Sequence, residues 1–308
     1  MALTTLTSTF HHDTYPAISS TNPSLSQAGK TVLITGGGSG IGFEIARSFA
    51  KAKASRIIIV GRRITVLDDA VAKLRGEFPN TEFVAQQGDI SDEASAASVW
   101  DHLRSHGILV HVLVLNAMHL YPMGPDTLKM ERNDLMEAFH TNVGGNFSMT
   151  AKFVGQAVRP VGQKLNLVNI STAGIQMNPA PGQNPYVTSK AAFTALLGRI
   201  ADEHPVEDVQ IISFHPGVLY SETVAKHIER DLFDWDEMAL PADFAVWSAS
   251  PAAAWLHGRF VWAHWDVDEL KADKEITKRL ERETGFLKVA VQGLTEVSET
   301  SFLKKKET

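Results

Sequence analysis

The stretch "TVLITGGGSGIG", Thr31 to Gly42, decides how this chain is read. An apolar run, Thr31 to Thr35, breaks into glycine and then passes into a segment where Ile41, Ile45 and Phe49 recur at helical spacing. Glycine loses more conformational freedom on folding than any other residue, so a cluster of it marks a place where a Cβ would not be tolerated. Between a strand and a helix that requirement has a particular meaning. Backbone N–H groups and the positive end of the helix hold a phosphate there without a side-chain cation. Gly36, Gly40 and Gly42 follow a TGxxxGxG spacing. With Gly38, Ser39 and Ile41 they form a candidate cradle for the pyrophosphate of a dinucleotide.

Outward from this point, strand-like and helix-like segments alternate. Apolar runs at Arg56 to Val60, Glu82 to Gln87, His111 to Asn116, Leu165 to Ser171, Val209 to Pro216 and Arg259 to Trp265 read as six further strands. Leu67, Val71 and Leu74 keep helical spacing after the second strand. Alternation of this kind predicts an α/β fold: a doubly wound parallel sheet of about seven strands, with helices on both faces. No internal repeat or Pro/Gly linker divides it, so residues 30–268 are expected to form one Rossmann-type domain. Residues 1–29, with Pro16 and Pro23, read as an extension wrapped over the surface. Residues 269–308 form a second extension, charged in "DELKADKEITKRLERE" and apolar again in "FLKVAVQGL". The charged run reads as a solvated helix face, while the apolar patch needs the body or a partner subunit to cover it.

Composition removes several classes of function. A net charge of −6 and a pI near 6.1 argue against a nucleic-acid partner, which calls for a basic face. The absence of cysteine excludes disulfides, thiolate catalysis and sulfur-ligated metal, and fits an intracellular protein. No signal-peptide pattern stands at the start and no apolar run approaches the ~18 residues of a membrane span. The expectation is a cytoplasmic protein without membrane or metal.

About 20 residues beyond the glycines, at the end of the second strand, nucleotide-binding sheets distinguish their cofactors. An acid there holds the ribose hydroxyls of NAD. This chain has Gly61-Arg62-Arg63 instead, and two guanidiniums favour a 2′-phosphate. NADP(H) is therefore preferred over NAD(H). The alternative, two solvated arginines, would place like charge at the positive end of a helix.

Tyr186 and Lys190, in "NPYVTSKAAF", are four apart and project from one helix face. A phenol ordinarily titrates near ~10 and needs a neighbouring positive charge to exchange a proton at neutral pH. An ammonium one turn away supplies it. Upstream, "NISTAG" places the hydroxyls of Ser171 and Thr172 at the end of a strand, where one of them could steady charge on a substrate oxygen.

Taken together, Thr35 to Gly42, Asn116 to Met118, Thr141 to Gly145, "NISTAG", "YVTSK" and "HPGV" resemble the short-chain dehydrogenase/reductase family in order and approximate spacing. The match runs from about Lys30 to Trp265, and "YPAISSTNPSLS" and "FVWAHWDVDEL" look like a subgroup frequent among fungal reductases of secondary metabolism. The resemblance implies Tyr186 as general acid/base and Lys190 as the ribose ligand that lowers the tyrosine pKa. It further implies Ser171 as the group orienting the substrate oxygen, and Asn142 as the holder of a relay water. Asp89 and Ile90 would contact adenine, and Asn116 and Ala117 would run along the adenosine ribose. Pro216, Gly217 and Leu219 would flank the nicotinamide, with Ser221 where the family usually has threonine. A homodimer pairing the helix of the Tyr–Lys motif, and an apolar substrate lid over about 220–250, are also implied. Two departures stand out. Met118 replaces the glycine of Asn-Ala-Gly, and a longer interval before Tyr186 leaves Ser171 and Thr172 in competition, with the S-x-A-G frame favouring Ser171.

Other residues point less sharply. His102 and His106 are an i, i+4 pair without a third ligand and read as a solvated helix end; His119 reads as a loop histidine. Leu232, Phe233, Trp235, Met238 and Leu240 fit either an apolar cover or core packing. The expected activity is NADPH-dependent reduction of a carbonyl on an apolar small molecule, reversible to alcohol oxidation. The same fold also serves isomerases, dehydratases or cyclases that retain the cofactor, and non-catalytic nucleotide-binding proteins.

Overall fold

A computed structural model of the chain describes residues 6–120, 126–179, 182–221, 224–226 and 229–291. Seven strands, β1 (Thr31–Thr35), β2 (Arg56–Gly61), β3 (Glu82–Gln87), β4 (Val112–Leu115), β5 (Leu165–Ile170), β6 (Val209–His215) and β7 (Arg259–Trp262), form one sheet. Every pairing is parallel and the order is β3-β2-β1-β4-β5-β6-β7. The central strands β1, β4, β5 and β6 are buried along their whole length. Burial on both faces is why they read as continuous Val/Ile/Leu runs rather than alternating ones.

The helices divide between the two faces. On one, α1 (Gly40–Lys51), α2 (Ile64–Glu77) and α7 (Ala239–Ser248) pack Ile45, Phe49, Leu67 and Phe244 against Val32, Ile34 and Ile57. On the other, α3 (Glu93–Ser105), α5 (Asn146–Val154) and α6 (Asn184–Glu203) pack Val99, Phe153 and Phe193 against Leu33, Ile58 and Leu113. Between α3 and α5 lies α4 (Arg132–Phe139), joined to α5 through one π-helical turn, His140–Gly145.

The chain lays down β1, β2 and β3 in one direction, then returns to place β4 on the other side of β1. Such a reversal opens a crevice at the carboxyl ends of the two strands. The glycine segment leaves β1 at that point, and Asn116 to Met118 leave β4 beside it. Asn116, expected as the last residue of its strand, instead donates its backbone N–H to the Thr35 hydroxyl, so the ladder ends at Leu115.

Both terminal segments are attached to the body more deeply than a surface wrap. Tyr15, Ile18 and Leu25 are buried in the main core, and the Tyr15 hydroxyl donates to the Trp265 carbonyl at 2.9 Å. At the other end α8 (Val267–Ala272) and α9 (Lys274–Arg282) lead to Phe286 and Leu287, which pack on the same core. Of the apolar patch expected to need cover, Phe286 and Leu287 find it on the chain's own body, while Val289 and Val291 are exposed; residues 292–308 lie outside the described residues. No described helix is long and apolar enough to cross a membrane.

Candidate active site

The glycine turn is a close-packed device. Gly36 takes φ +68° and donates its N–H to the Val60 carbonyl at 2.7 Å. A Cβ on Gly42 would stand 2.3 Å from the Gly36 oxygen and 2.6 Å from the Asn116 Nδ2. Asn116 donates to the carbonyls of Thr35 and Gly36, while the Thr35 hydroxyl accepts from the N–H groups of Asn116 and Ala117. Asn116 and Ala117 therefore brace the turn as well as bordering the crevice. Ser39 precedes α1 without a side-chain hydrogen bond to its first turn, and no atom lies within 4 Å of where a Cβ of Gly40, at φ +53°, would be. Uncapped N–H groups and open space at a helix start are what a dinucleotide's pyrophosphate requires. The residues present fit it.

One cleft gathers most of the sequence-predicted nucleotide residues. Gly36, Gly38, Ser39, Gly40 and Ile41 line it at β1, Arg62 and Arg63 after β2, Asp89 and Ile90 after β3, Asn116 and Ala117 after β4, and Ser221 beyond β6. Gly42 stands behind this wall, closing the turn. Arg62 and Arg63 are exposed at the start of α2, and among the described residues neither guanidinium forms an ion pair with a carboxylate. The Asp89 carboxylate accepts from the Ser91 N–H and hydroxyl, which leaves its segment ordered against the cleft.

Pro185 in the first turn starts α6, a position where its missing N–H has no cost, and brings Tyr186 and Lys190 in behind β5. The Lys190 ammonium is buried and donates to the Ile170 carbonyl at 2.7 Å. Burial pulls its pKa down to about 8. Tyr186 is half-buried at the residue level, its phenol shielded from water; that burial pushes the phenol up to about 12, against the lowering effect of a hydrogen bond with Thr172. The sequence reading expected the amine to depress the phenol. In the folded chain burial is the largest influence on the phenol, and it raises it.

The two competing hydroxyls separate clearly. Ser171 is 2% exposed and its Oγ lies 2.7 Å from the Oγ1 of Thr194, a buried residue of α6. Thr172 is the residue whose hydroxyl meets the Tyr186 phenol. The frame S-x-A-G favours Ser171, while the direction in which each side chain leaves the strand end is set by packing that spacing does not contain.

Asn142 sits in the π-helical turn, a local distortion frequent at functional sites. Its side chain accepts from the His119 N–H at 2.7 Å and donates to the His119 carbonyl and the Ser189 hydroxyl. It thereby ties His119, on the cleft wall, to α6, which carries Tyr186 and Lys190. Tyr186, Lys190, Ser171 and Asn142 are not on the cleft wall themselves. They form a second group behind it, joined to it through Asn142.

Beyond β6, Gly217 takes φ +109° and Leu219 is buried; Pro216, Gly217 and Leu219 stand off the cleft, whereas Ser221 and Val224 line it. The stretch of about 220–250 expected as a cover is not all available for that role. From Ala239 the chain is α7, buried beside α1, and Leu240 belongs to the core; Leu232 and Phe233 are exposed. A helix buried on every side, down to its Asp243, whose carboxylate accepts from the Thr14 and Ser48 hydroxyls, is core rather than a lid. Residues 222–223 and 227–228 of that stretch lie outside the described residues.

Sequence reasoning missed one cluster. His12, Asp236 and His264 converge, with donor atoms all within 4.8 Å of one another. His12 and Asp236 are 224 residues apart, and no spacing rule links such positions.

The family model for short chain dehydrogenases matches residues 30–231. The short chain dehydrogenase/reductase nsrO of Aspergillus novofumigatus is 38% identical over 268 residues, covering 86% of this chain and 90% of that protein. The short chain dehydrogenase/reductase AacuD of Aspergillus aculeatus is 35% identical over 285 residues, covering 92% and 96%. Among solved structures, a short-chain type dehydrogenase/reductase from Mycobacterium ulcerans superposes with a TM-score of 0.69 at 25% identity, over 77% of this chain and 89% of that one.

Proposed function

This chain belongs to the short-chain dehydrogenase/reductase family, an oxidoreductase family that binds nicotinamide dinucleotides, and on that premise we propose that it is an NADPH-dependent carbonyl reductase. The substrate is a fairly apolar small molecule, in keeping with Met118, exposed on the cleft wall, and the relatives suggest a role in fungal secondary metabolism. A cytoplasmic homodimer is part of the same reading. The observation that carries it is the pairing of two groups: a phosphate-ready glycine turn and, behind it, a buried Tyr–Lys pair with a hydroxyl on the phenol.

Gly36, Gly38, Ser39, Gly40, Ile41 and Gly42 would hold the pyrophosphate, Arg62 and Arg63 the 2′-phosphate, Asp89 and Ile90 the adenine. A nicotinamide dinucleotide held by these residues would supply the hydride equivalent that carbonyl reduction needs. At neutral pH the Tyr186 phenol, raised to about 12, is protonated and stands ready to deliver its proton to the carbonyl oxygen. Lys190 remains an ammonium below about 8 and stabilises the phenolate left behind. Thr172 shares its hydroxyl between the phenol and the substrate oxygen. Asn142 keeps α6 in register with the cleft wall.

A screen of ketones and quinones, read as NADPH consumption with products identified by mass spectrometry, tests the activity. Turnover with NADPH is expected, and product formed without stoichiometric NADPH oxidation would replace the reading by a non-redox isomerase, dehydratase or cyclase. In the same assay, Arg62→Ala combined with Arg63→Ala should raise the KM for NADPH about tenfold or more and leave that for NADH within about twofold. Equal losses for both nucleotides would remove the 2′-phosphate role.

The hydroxyl assignment is tested by substitution in pairs. Thr172→Val should lower kcat about a hundredfold, with Thr172→Ser restoring most of it, whereas Ser171→Ala should act on stability and change kcat by less than about threefold. A Ser171→Ala enzyme as impaired as Thr172→Val would return the role to Ser171.

A further inference from the structure

The cluster absent from the sequence reading lies where the amino-terminal segment meets the wall of the cleft. Asp236 has a side chain 2% exposed, yet its carboxylate carries three donors. Oδ1 accepts from the His12 Nδ1 at 2.6 Å; Oδ2 accepts from the His264 Nε2 at 2.9 Å and from the backbone N–H of Val218 at 2.6 Å. The Val218 carbonyl in turn accepts the Asp236 N–H at 2.8 Å. Gly217 is packed so closely that a Cβ there would stand 2.6 Å from Oδ2. Three residues beyond Val218, Ser221 forms part of the cleft wall, followed by Val224.

His12 comes from the far end of the chain and is held in place by its own backbone. The His12 carbonyl accepts the Glu237 N–H, the His11 N–H donates to the His264 carbonyl, and Phe10 stacks on the His264 ring at 4.3 Å. The His12 ring itself is 59% exposed. We propose that Asp236, clamped by His12 and His264, is a positioning residue that fixes the segment running from Val218 to Ser221 on the cleft wall, so that the amino-terminal segment is a working part of the site. It rests on reading that cleft as the nucleotide and substrate site. Burial would raise the Asp236 carboxyl, but the His264, Val218 and His12 hydrogen bonds outweigh it and hold the group below its usual range, as a carboxylate. A buried carboxylate with charge-assisted donors costs little to keep and much to leave unpaired. The same donor atoms could surround a divalent cation, but the Val218 N–H already occupies Oδ2, which marks a hydrogen-bonded carboxylate.

The test compares the intact protein with His12→Ala and His12→Asn, since an asparagine amide nitrogen stands about where the histidine Nδ1 stood. His12 is exposed, so neither change threatens the core. His12→Ala should speed hydrogen exchange at residues 216–221 and raise the Kd for NADPH, or the KM for substrate, about fivefold with kcat little altered. His12→Asn should return both to within about twofold. Unchanged exchange in His12→Ala overturns the proposal, and so does faster exchange with unchanged binding constants, which would leave only a packing contact. One equivalent of zinc retained by the purified protein overturns it as well. If the wild-type protein does not bind NADPH, the functional reading fails. The exchange data at 216–221 still decide the clamp.

Discussion

Tyr186→Phe is expected to leave NADPH binding within about twofold while lowering turnover about a thousandfold, the range general acid catalysis supplies. The substitution removes one oxygen and keeps the ring that packs at the start of α6, so the fold and the nucleotide cleft have no reason to change. The proton it removes is the one the reduced oxygen must receive. Wild-type reduction should also show a pH limb of known sign. Lys190, lowered to about 8, is charged below that value and neutral above it, so the reductive rate should fall as pH rises through about 8. Tyr186, raised to about 12, stays protonated across the same interval and adds no limb of its own there. Near wild-type turnover in Tyr186→Phe would end the mechanism. A rate that climbs through pH 8 would remove Lys190 from its proposed role.

The second large effect belongs to Gly42→Ala. The added methyl would meet the Gly36 oxygen at 2.3 Å and the Asn116 amide nitrogen at 2.6 Å, neither of which is the free end of a flexible chain. Both are engaged in the bonds that shape the turn. Overpacking of this kind costs about 1–3 kcal/mol or more, and at this chain length that corresponds to a Tm lower by about 3–10 °C. The turn can relieve the clash only by moving Gly36 away from α1, which spreads the N–H groups meant for the pyrophosphate. NADPH affinity should therefore drop by more than about tenfold, because a phosphate held by several backbone donors loses them together. Gly76→Ala provides the contrast. It lies on α2 with nothing within 4 Å of its Cβ position and should be neutral or slightly stabilising. Equal behaviour of the two variants, by calorimetry and nucleotide titration, would refute the close-packed turn.

Much of the fold was legible because the succession of strands and helices follows from local signals. Long apolar runs separated by helical spacing are what strands buried on both faces look like, and β1 and β3 begin and end where the run of residues says they should. The glycine turn was legible for the same reason: its constraint is steric and lies within a dozen residues. Tyr186 and Lys190 could be paired from their spacing, since four residues along a helix is a fixed distance. Orientation at a strand end was another matter. Ser171 and Thr172 are neighbours, and only the packing of α6, which offers Thr194 to one and Tyr186 to the other, separates them.

By itself the amino-acid sequence determined the doubly wound sheet, the phosphate-ready turn, the two arginines in place of an acid and the Tyr–Lys pair, because each is a short-range pattern whose physics is local. Only the tertiary structure decided which hydroxyl meets the phenol, that the segment from Ala239 is core and not cover, and that His12 reaches Asp236 across more than two hundred residues. Contacts of that reach form when separate segments are buried together, and burial depends on the whole packed body rather than on any window of the chain.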